Sequence, residues 1–209
     1  MEGISIVFPH ADNPENNRVL ELQKKLLREN TKGKYQLSYL SGNQKEDVYP
    51  AWNWLISRAK YDLVLWTNTD LLPAPNWDIL VKKYQDKADW LSMRVVECGQ
   101  IGVAFPMIER DFGITASSFE RKQFEYFAEE ESKKHPEFEE GFVWYCPSVF
   151  KKKWFLDNGG FPTDKPYPYP NDSLFRQKVE KGCRFGVVNS WFYHLQRAGE
   201  NSGEKKERK

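Results

Sequence analysis

Short β-rich apolar runs alternate with amphipathic stretches along this chain, and that alternation restricts the possible folds more than any other feature. Ile4-Ser5-Ile6-Val7-Phe8 reads as a buried strand ended by Pro9. After a polar loop over 10–17, Val19, Leu20, Leu22, Leu26 and Leu27 recur at near-helical spacing among Lys and Glu. This predicts an amphipathic helix over 17–30, stopped around Gly33. Residues 35–40 give a second strand, closed by Ser41-Gly42-Asn43. Val48, Trp52, Leu55, Ile56 and Ala59 predict a helix over 48–60, and Asp62-Leu63-Val64-Leu65-Trp66 a third strand. Pro73 and Pro75 turn the chain before a helix over 76–85, with further strands at 90–96 and 101–105. Strand and helix in this order imply an α/β layered, Rossmann-like domain with a mostly parallel central sheet flanked by helices.

The second half is less regular. Residues 117–135 predict a solvated helix with one apolar edge at Phe119, Phe124 and Phe127. An apolar stretch at 143–150 leads into a helix over 150–157 and the loop Gly159-Gly160-Phe161-Pro162. The Pro-rich segment 162–170 excludes regular structure. A helix over 172–181 ends at Gly182, and strands at 185–188 and 191–193 lead to His194. Residues 199–209 are polar and charged, as expected of a tail or a linker to a further module, leaving one domain over 1–198.

Composition excludes several classes. With 31 Lys and Arg against 30 Asp and Glu, no global field draws the chain to nucleic acid or an anionic membrane. Phosphate binding must therefore be local. Cys98, Cys146 and Cys183 form no C-x-x-C pair, against a disulfide framework or a thiolate zinc site. The start shows no secretory leader, and no run approaches the roughly 18 apolar residues of a transmembrane span, so a cytoplasmic location is expected. Eight Trp, ten Tyr and fourteen Phe suit a large aromatic core; exposed rings of this kind also suit sugar-binding clefts.

In open α/β sheets ligands sit beyond the carboxyl ends of the strands. Three polar clusters fall there: Pro9-His10-Ala11-Asp12, Ser41-Gly42-Asn43 and Asn68-Thr69-Asp70. They are expected to converge on one cleft edge. Asn68-Thr69-Asp70 puts an amide oxygen and a carboxylate on a sharp turn, which suits a hard divalent cation with positions left for phosphate oxygens. The same residues suit a simple Asx turn. Asp172 opens a helix, where a cap and a catalytic carboxylate look alike, and His194 reads equally as a packed residue or a ligand.

Taken in order, these features resemble the family 2-like glycosyltransferases of the GT-A fold, over about residues 3–198. Ile4 through Pro9 is similar to the family's opening strand, and Ala51-Trp52-Asn53 through Ala59 to its A-x-N-x-x-I-x-x-A helix. Leu65 through Pro73 resembles the strand, D-x-D-type turn and trailing proline. The stretch from Val143 to Gly159-Gly160-Phe161 resembles the one ending in G-G-F; Asn171-Asp172 stands at the E-D pair and Tyr193-His194 at the late Y-H pair.

The resemblance implies transfer of a sugar from a nucleoside-diphosphate sugar, UDP-linked in the commonest case, to a saccharide or glycan hydroxyl with inversion. It implies Asp172 as catalytic base and a divalent cation, Mn²⁺ or Mg²⁺, on Asp70 and His194. The donor would be held by Pro9, His10, Ala11, Ser41, Asn53, Asn68, Thr69 and Asp70, within a donor half at about 1–105. The acceptor half at about 106–198 would be flanked by Trp144-Tyr145 and residues 166–170. Three departures stand out. Ser41-Gly42-Asn43-Gln44 replaces an Asp-rich turn, Asn68 stands for a common Asp, and Asn171 for Glu. A non-catalytic carbohydrate-binding domain of the same descent fits those replacements. A sugar nucleotidyltransferase fits less well, because Pro9-His10-Ala11-Asp12 has neither the glycines nor the cation of its phosphate loop.

Overall fold

Strand β1 (Ile4–Ala11) is the spine of the sheet, and it runs two residues past the proline expected to stop it. Pro9 points its missing N–H to the same side as Val7, whose carbonyl accepts from Thr67 N at 3.2 Å. On that side β3 (Leu63–Trp66) has already ended opposite Val7, so no ladder bond is lost. The structure, a computed structural model, describes residues 2–42, 48–99, 107–141, 146–164 and 171–195. The strand expected at 101–105, Asn43-Gln44, Trp144-Tyr145, residues 166–170 and the tail lie outside the described residues.

Helix α1 (Pro14–Asn30) starts three residues before its predicted position. Asn13 caps it, its side chain accepting from Asn16 N at 2.9 Å, and Pro14 supplies a φ already suited to a first turn. The apolar periodicity begins only at Val19, so the start was legible from the cap rather than from the stripe. The chain then turns into β2 (Tyr35–Gly42), which includes Ser41 and Gly42 as strand residues rather than as a turn. Helix α2 (Val48–Ser57) leads to β3, then β4 (Leu71–Pro73), α3 (Trp77–Tyr84) and β5 (Trp90–Glu97). There follow β6 (Met107–Glu109), α4 (Arg121–Ser132), β7 (Phe138–Glu140), β8 (Ser148–Lys151), α5 (Lys152–Asp157), α6 (Asn171–Val179) and β9 (Phe185–His194).

The strands form one sheet ordered β2-β1-β3-β8-β5-β9-β4, with β6 beside β5 and β7 beside β9. Its long ladders are parallel: β1 with β2, and β5 with β9. Strand β8 is inserted antiparallel between β3 and β5, and β4 and β7 pair antiparallel to β9. The two strands expected at 185–188 and 191–193 are one strand, in which Asn189 and Ser190 bulge out of the ladder with β5. Ser190 Oγ donates to Trp77 O at 2.7 Å, and Asn189 Nδ2 to the carbonyls of Ser132 and His135. The bulge thereby ties β9 to α3 and to the end of α4.

Two apolar layers sandwich the sheet. One gathers Trp52, Trp66, Trp90, Phe150, Phe155, Phe161 and Phe175. The other packs Val19, Leu26, Leu72, Phe112, Phe124, Phe127, Trp191 and Tyr193 beneath α1 and α4. Full burial of each such side chain contributes roughly 1.5–3 kcal/mol. The abundant aromatic residues are thus mostly core. No helix among the described residues is long and apolar enough to cross a membrane.

Candidate functional site

The site grows from the carboxyl ends of β1, β2 and β3. Parallel pairing sets His10 beside Ser41 and Ala11 beside Gly42. Thr69, just past β3, donates its hydroxyl to Pro9 O at 3.3 Å and lies 3.5 Å from His10 Nδ1. The three polar clusters therefore meet at one edge. Asn17 Nδ2 donates to Asp12 at 3.0 Å, which leaves Asn17 Oδ1 to face His10 Nε2 at 2.8 Å and assigns that nitrogen the proton. His10 is buried, with Nε2 held by Asn17 and Nδ1 facing the Thr69 hydroxyl, whose one proton serves either Pro9 O or Nδ1.

The Asn68-Thr69-Asp70 turn closes through Leu71 N, which donates to Asn68 O at 3.4 Å. A residue that sequence reasoning missed holds it more firmly. Gln23, on α1 and 1 % exposed, donates Nε2 to Asn68 O at 2.7 Å and to Leu71 O at 3.0 Å. The carbonyls at both ends of the turn are thus clamped by one amide group.

Strand pairing completes the site. His194 ends β9, opposite Leu71 of β4 on one side and Glu97 of β5 on the other. Leu195 N donates to Asp70 O at 3.0 Å. His194 Nε2 lies 3.4 Å from Asp70 Oδ2, and its Nδ1 lies 2.8 Å from Glu97 Oε2. Burial pulls the imidazole pKa down, but the flanking Asp70 and Glu97 carboxylates outweigh it and push it up to about 10. Glu97, buried at a strand end, went unnoticed in the sequence. Tyr193 points to the opposite face, as successive strand residues must. Its hydroxyl accepts from Phe112 N at 2.8 Å and donates to Gly113 O at 2.7 Å.

Asp172 lies in the first turn of α6, where a carboxylate favours the helix dipole. Its Oδ1 accepts from the Tyr49 hydroxyl at 3.0 Å and from Ser173 N at 2.8 Å, so Oδ2 remains for another partner. Cys146, buried next to a cis proline, feels this carboxylate and the others as charges only. Burial, then the negative charges of Asp70, Asp172 and Glu97, push its pKa well above the ordinary thiol value.

Asn53 is placed differently from the donor contact expected of it. Its Nδ2 donates to Phe161 O at 2.8 Å and its Oδ1 accepts from Phe161 N at 3.0 Å. Both polar atoms serve the Gly159-Gly160-Phe161 turn, in which the glycines take φ of 83° and 66°. The turn returns Phe161 to the core against Trp66, Phe155 and Phe175. A groove of about 640 Å³ between α3 and α4, lined by Ile79, Glu125, Tyr126 and Glu129 among others, shares no residue with the site.

Among the described residues no group of three His, Cys, Asp or Glu could hold a metal. Asp70 Oδ2 and His194 Nε2 do offer one carboxylate and one imidazole within 3.4 Å. Glu97 on the far ring nitrogen supplies the outer carboxylate that metal-binding histidines usually have. Two protein donors fit a cation that takes its remaining ligands from phosphate oxygens and water. The residues fit on those terms.

No family model matches the sequence, and no curated protein matches it. Solved structures do. The crystal structure of S. aureus TarS 1–349 aligns with TM-score 0.60 at 14% identity, over 93% of this chain and 60% of that one. The longer S. aureus TarS structure gives 0.59 at 12%, over 93% and 36%. TarS 1–349 in complex with UDP gives 0.58 at 13%, over 92% and 60%. The likeness is one of fold, that of a GT-A-like domain. The chain spans only about a third to three fifths of those TarS chains.

Proposed function

We propose that the chain transfers a glycosyl group from a uridine-diphosphate sugar to a saccharide hydroxyl with inversion. The observation that carries this reading is the Asp70–His194–Glu97 row at the strand ends, beside the edge where Thr69 is tied to Pro9. The likeness in fold to TarS, a glycosyltransferase also solved with UDP, supports it.

The sheet edge formed by Ala11, Ser41 and Thr69 would receive the nucleotide. Asp70 and His194 would hold a divalent cation, which when bound offsets the charge of the diphosphate leaving group. Asp172 Oδ2 would accept the acceptor's hydroxyl proton while Tyr49 and Ser173 N fix Oδ1. The acceptor oxygen bonds to the anomeric carbon as the bond to the diphosphate oxygen breaks, and a single displacement inverts that centre.

UDP release from a panel of UDP-sugars, with Mn²⁺ and with EDTA, tests this. Asp172→Asn is expected to slow transfer by about 10²–10⁴-fold with UDP affinity retained. Near-full transfer by that variant would remove the base assignment. Undiminished activity in EDTA would remove the metal. UDP binding without turnover of any donor and acceptor would favour a non-catalytic sugar-nucleotide binder.

A further inference from the structure

We infer that Glu97 is a positioning residue for the cation: it fixes the His194 ring so that Nε2, and not Nδ1, is presented beside Asp70. The inference rests on the metal reading of Asp70 and His194 given above.

Three strands make the arrangement. His194 is paired across β9 with Glu97 on β5 and with Leu71 on β4, and Asp70 immediately precedes Leu71. The imidazole therefore sits in the middle of a cross-strand row with a carboxylate at each nitrogen, at 2.8 Å on the Glu97 side and 3.4 Å on the Asp70 side. The shorter contact is a hydrogen bond and the longer one is not tight. An ionised carboxylate only accepts, so the nitrogen bonded to Glu97 keeps its proton; when the ring gives up one proton to ligate a cation, it is the Nε2 proton that leaves, and the lone pair falls beside Asp70. Glu97 is 4 % exposed and belongs to a strand paired along its whole length, whereas Asp70 belongs to a turn. The fixed partner orients the ring and the turn residue shares the ligand. Without Glu97 the ring can swing about its outer torsion, and either tautomer can face Asp70.

The carboxylate is also the group that a sequence pattern would overlook. It ends an eight-residue strand that is buried throughout, and only the β5–β9 register brings it to His194.

Mn²⁺ binding to the full chain, alone and with UDP, is measured by calorimetry for the wild type, Glu97→Ala, Glu97→Gln and His194→Ala. The expected result is a loss of about 10–100-fold in Mn²⁺ affinity for Glu97→Ala. Glu97→Gln, whose amide oxygen can still accept from Nδ1–H, restores most of it. The ring itself gives a readout that needs no metal. The wild type is expected to show a downfield, slowly exchanging Nδ1–H proton resonance from His194 that Glu97→Ala lacks, while both melt as folded proteins. Should Glu97→Ala prove too unstable to purify, Glu97→Gln and its Nδ1–H resonance decide the question alone. Wild-type Mn²⁺ affinity in Glu97→Ala, with affinity lost in His194→Ala, overturns the positioning role and leaves the metal reading standing. Equal affinity in wild type and His194→Ala, or none in either, overturns the metal reading and this inference with it.

Discussion

Replacing Gln23 by Leu removes the one side chain that grips both ends of the Asn68–Leu71 turn. The two side chains are close in size, so the change is chiefly the loss of two hydrogen bonds, 2.7 Å to Asn68 O and 3.0 Å to Leu71 O. Leu71 O left without its side-chain donor costs about 1–3 kcal/mol, and Asn68 O, which keeps Leu71 N at 3.4 Å, loses one net hydrogen bond of about 0.5–1.5 kcal/mol. Against that, Gln23 Oε1 is itself buried without a hydrogen-bond partner, and its removal returns a similar amount once. The net loss is about 0.5–1.5 kcal/mol, which for a chain of this length lowers the melting temperature by roughly 1–6 °C. The turn carries Asp70, so under the proposed metal reading Mn²⁺ affinity should fall by about tenfold, in the range seen for outer-shell partners of metal ligands. Gln23→Glu sharpens the test. A carboxylate only accepts, and here it would face two carbonyl oxygens. At pH 7 this variant should be less stable than Gln23→Leu, and the gap should narrow towards pH 4 as the acid gains a proton to donate. Thermal melts by circular dichroism and Mn²⁺ calorimetry give both readouts. Wild-type melting temperature and Mn²⁺ affinity in Gln23→Leu would refute the clamp.

Two further substitutions probe the scaffold. Asp78 is buried on α3 and accepts from Lys32 N at 3.0 Å, Gly33 N at 2.8 Å and Lys82 Nζ at 2.9 Å; burial raises its pKa, but these three donors outweigh it and leave it below 3.8. Its contribution is therefore present above about pH 5 and is lost as the pH falls through the lowered pKa, so Asp78→Asn should cost about 2–3 kcal/mol at pH 7 and progressively less as the pH falls below the ordinary aspartate range, by urea denaturation. Gly160 holds φ at 66°, and a Cβ there would lie 2.9 Å from Asn53 Oδ1. Gly160→Ala should cost about 2–3 kcal/mol by adding left-handed strain to a disturbed Asn53–Phe161 pairing, and an unchanged melt would deny that pairing its role.

The fold was legible where hydrophobic runs were long enough to show a period. β1, β2, β3 and β5 each gave one, and so did the stripe of α1. The three-residue strands β4, β6 and β7 did not, because three residues cannot distinguish a period of two from a turn. Part of the site was also legible: the clusters at Pro9, Ser41 and Asn68 were expected at one edge, and pairing brings them there. Gln23 was missed although it left a signal. It lies three or four residues from Val19, Leu20, Leu26 and Leu27, so it interrupts the buried stripe of α1 with a polar group that needs partners inside. Glu97 left no local signal, because its partner is 97 positions away and is set by strand register. Asn53 was assigned to the donor from its place in a pattern, whereas its amide pairs with the Phe161 peptide.

The Asn53–Phe161 pairing suggests what the ordered motifs have in common. Each is coupled to another by a specific contact. The A-x-N helix holds the G-G-F turn through Asn53 and Phe161, and it also reaches Asp172 through Tyr49. The N-T-D turn meets Tyr193-His194 through the antiparallel β4–β9 register, and Thr69 meets the first strand at Pro9. A turn such as Asn68-Thr69-Asp70 has little meaning alone, since Asx turns at strand ends are common. Its position becomes informative when the residue it must touch stands at the right place more than a hundred residues later. The order of the motifs carries information because the topology converts order into contact: parallel strands stack their carboxyl ends at one edge, and an antiparallel return brings a late strand's end back to them. Departures from the resembled pattern, such as Asn68 and Asn171, leave those contacts in place: Gln23 bonds to the Asn68 main chain, and Asp172 keeps Tyr49. A chain can therefore keep the geometry of the pattern while its letters drift, which is the physical reason a fold remains recognisable at 12–14% identity.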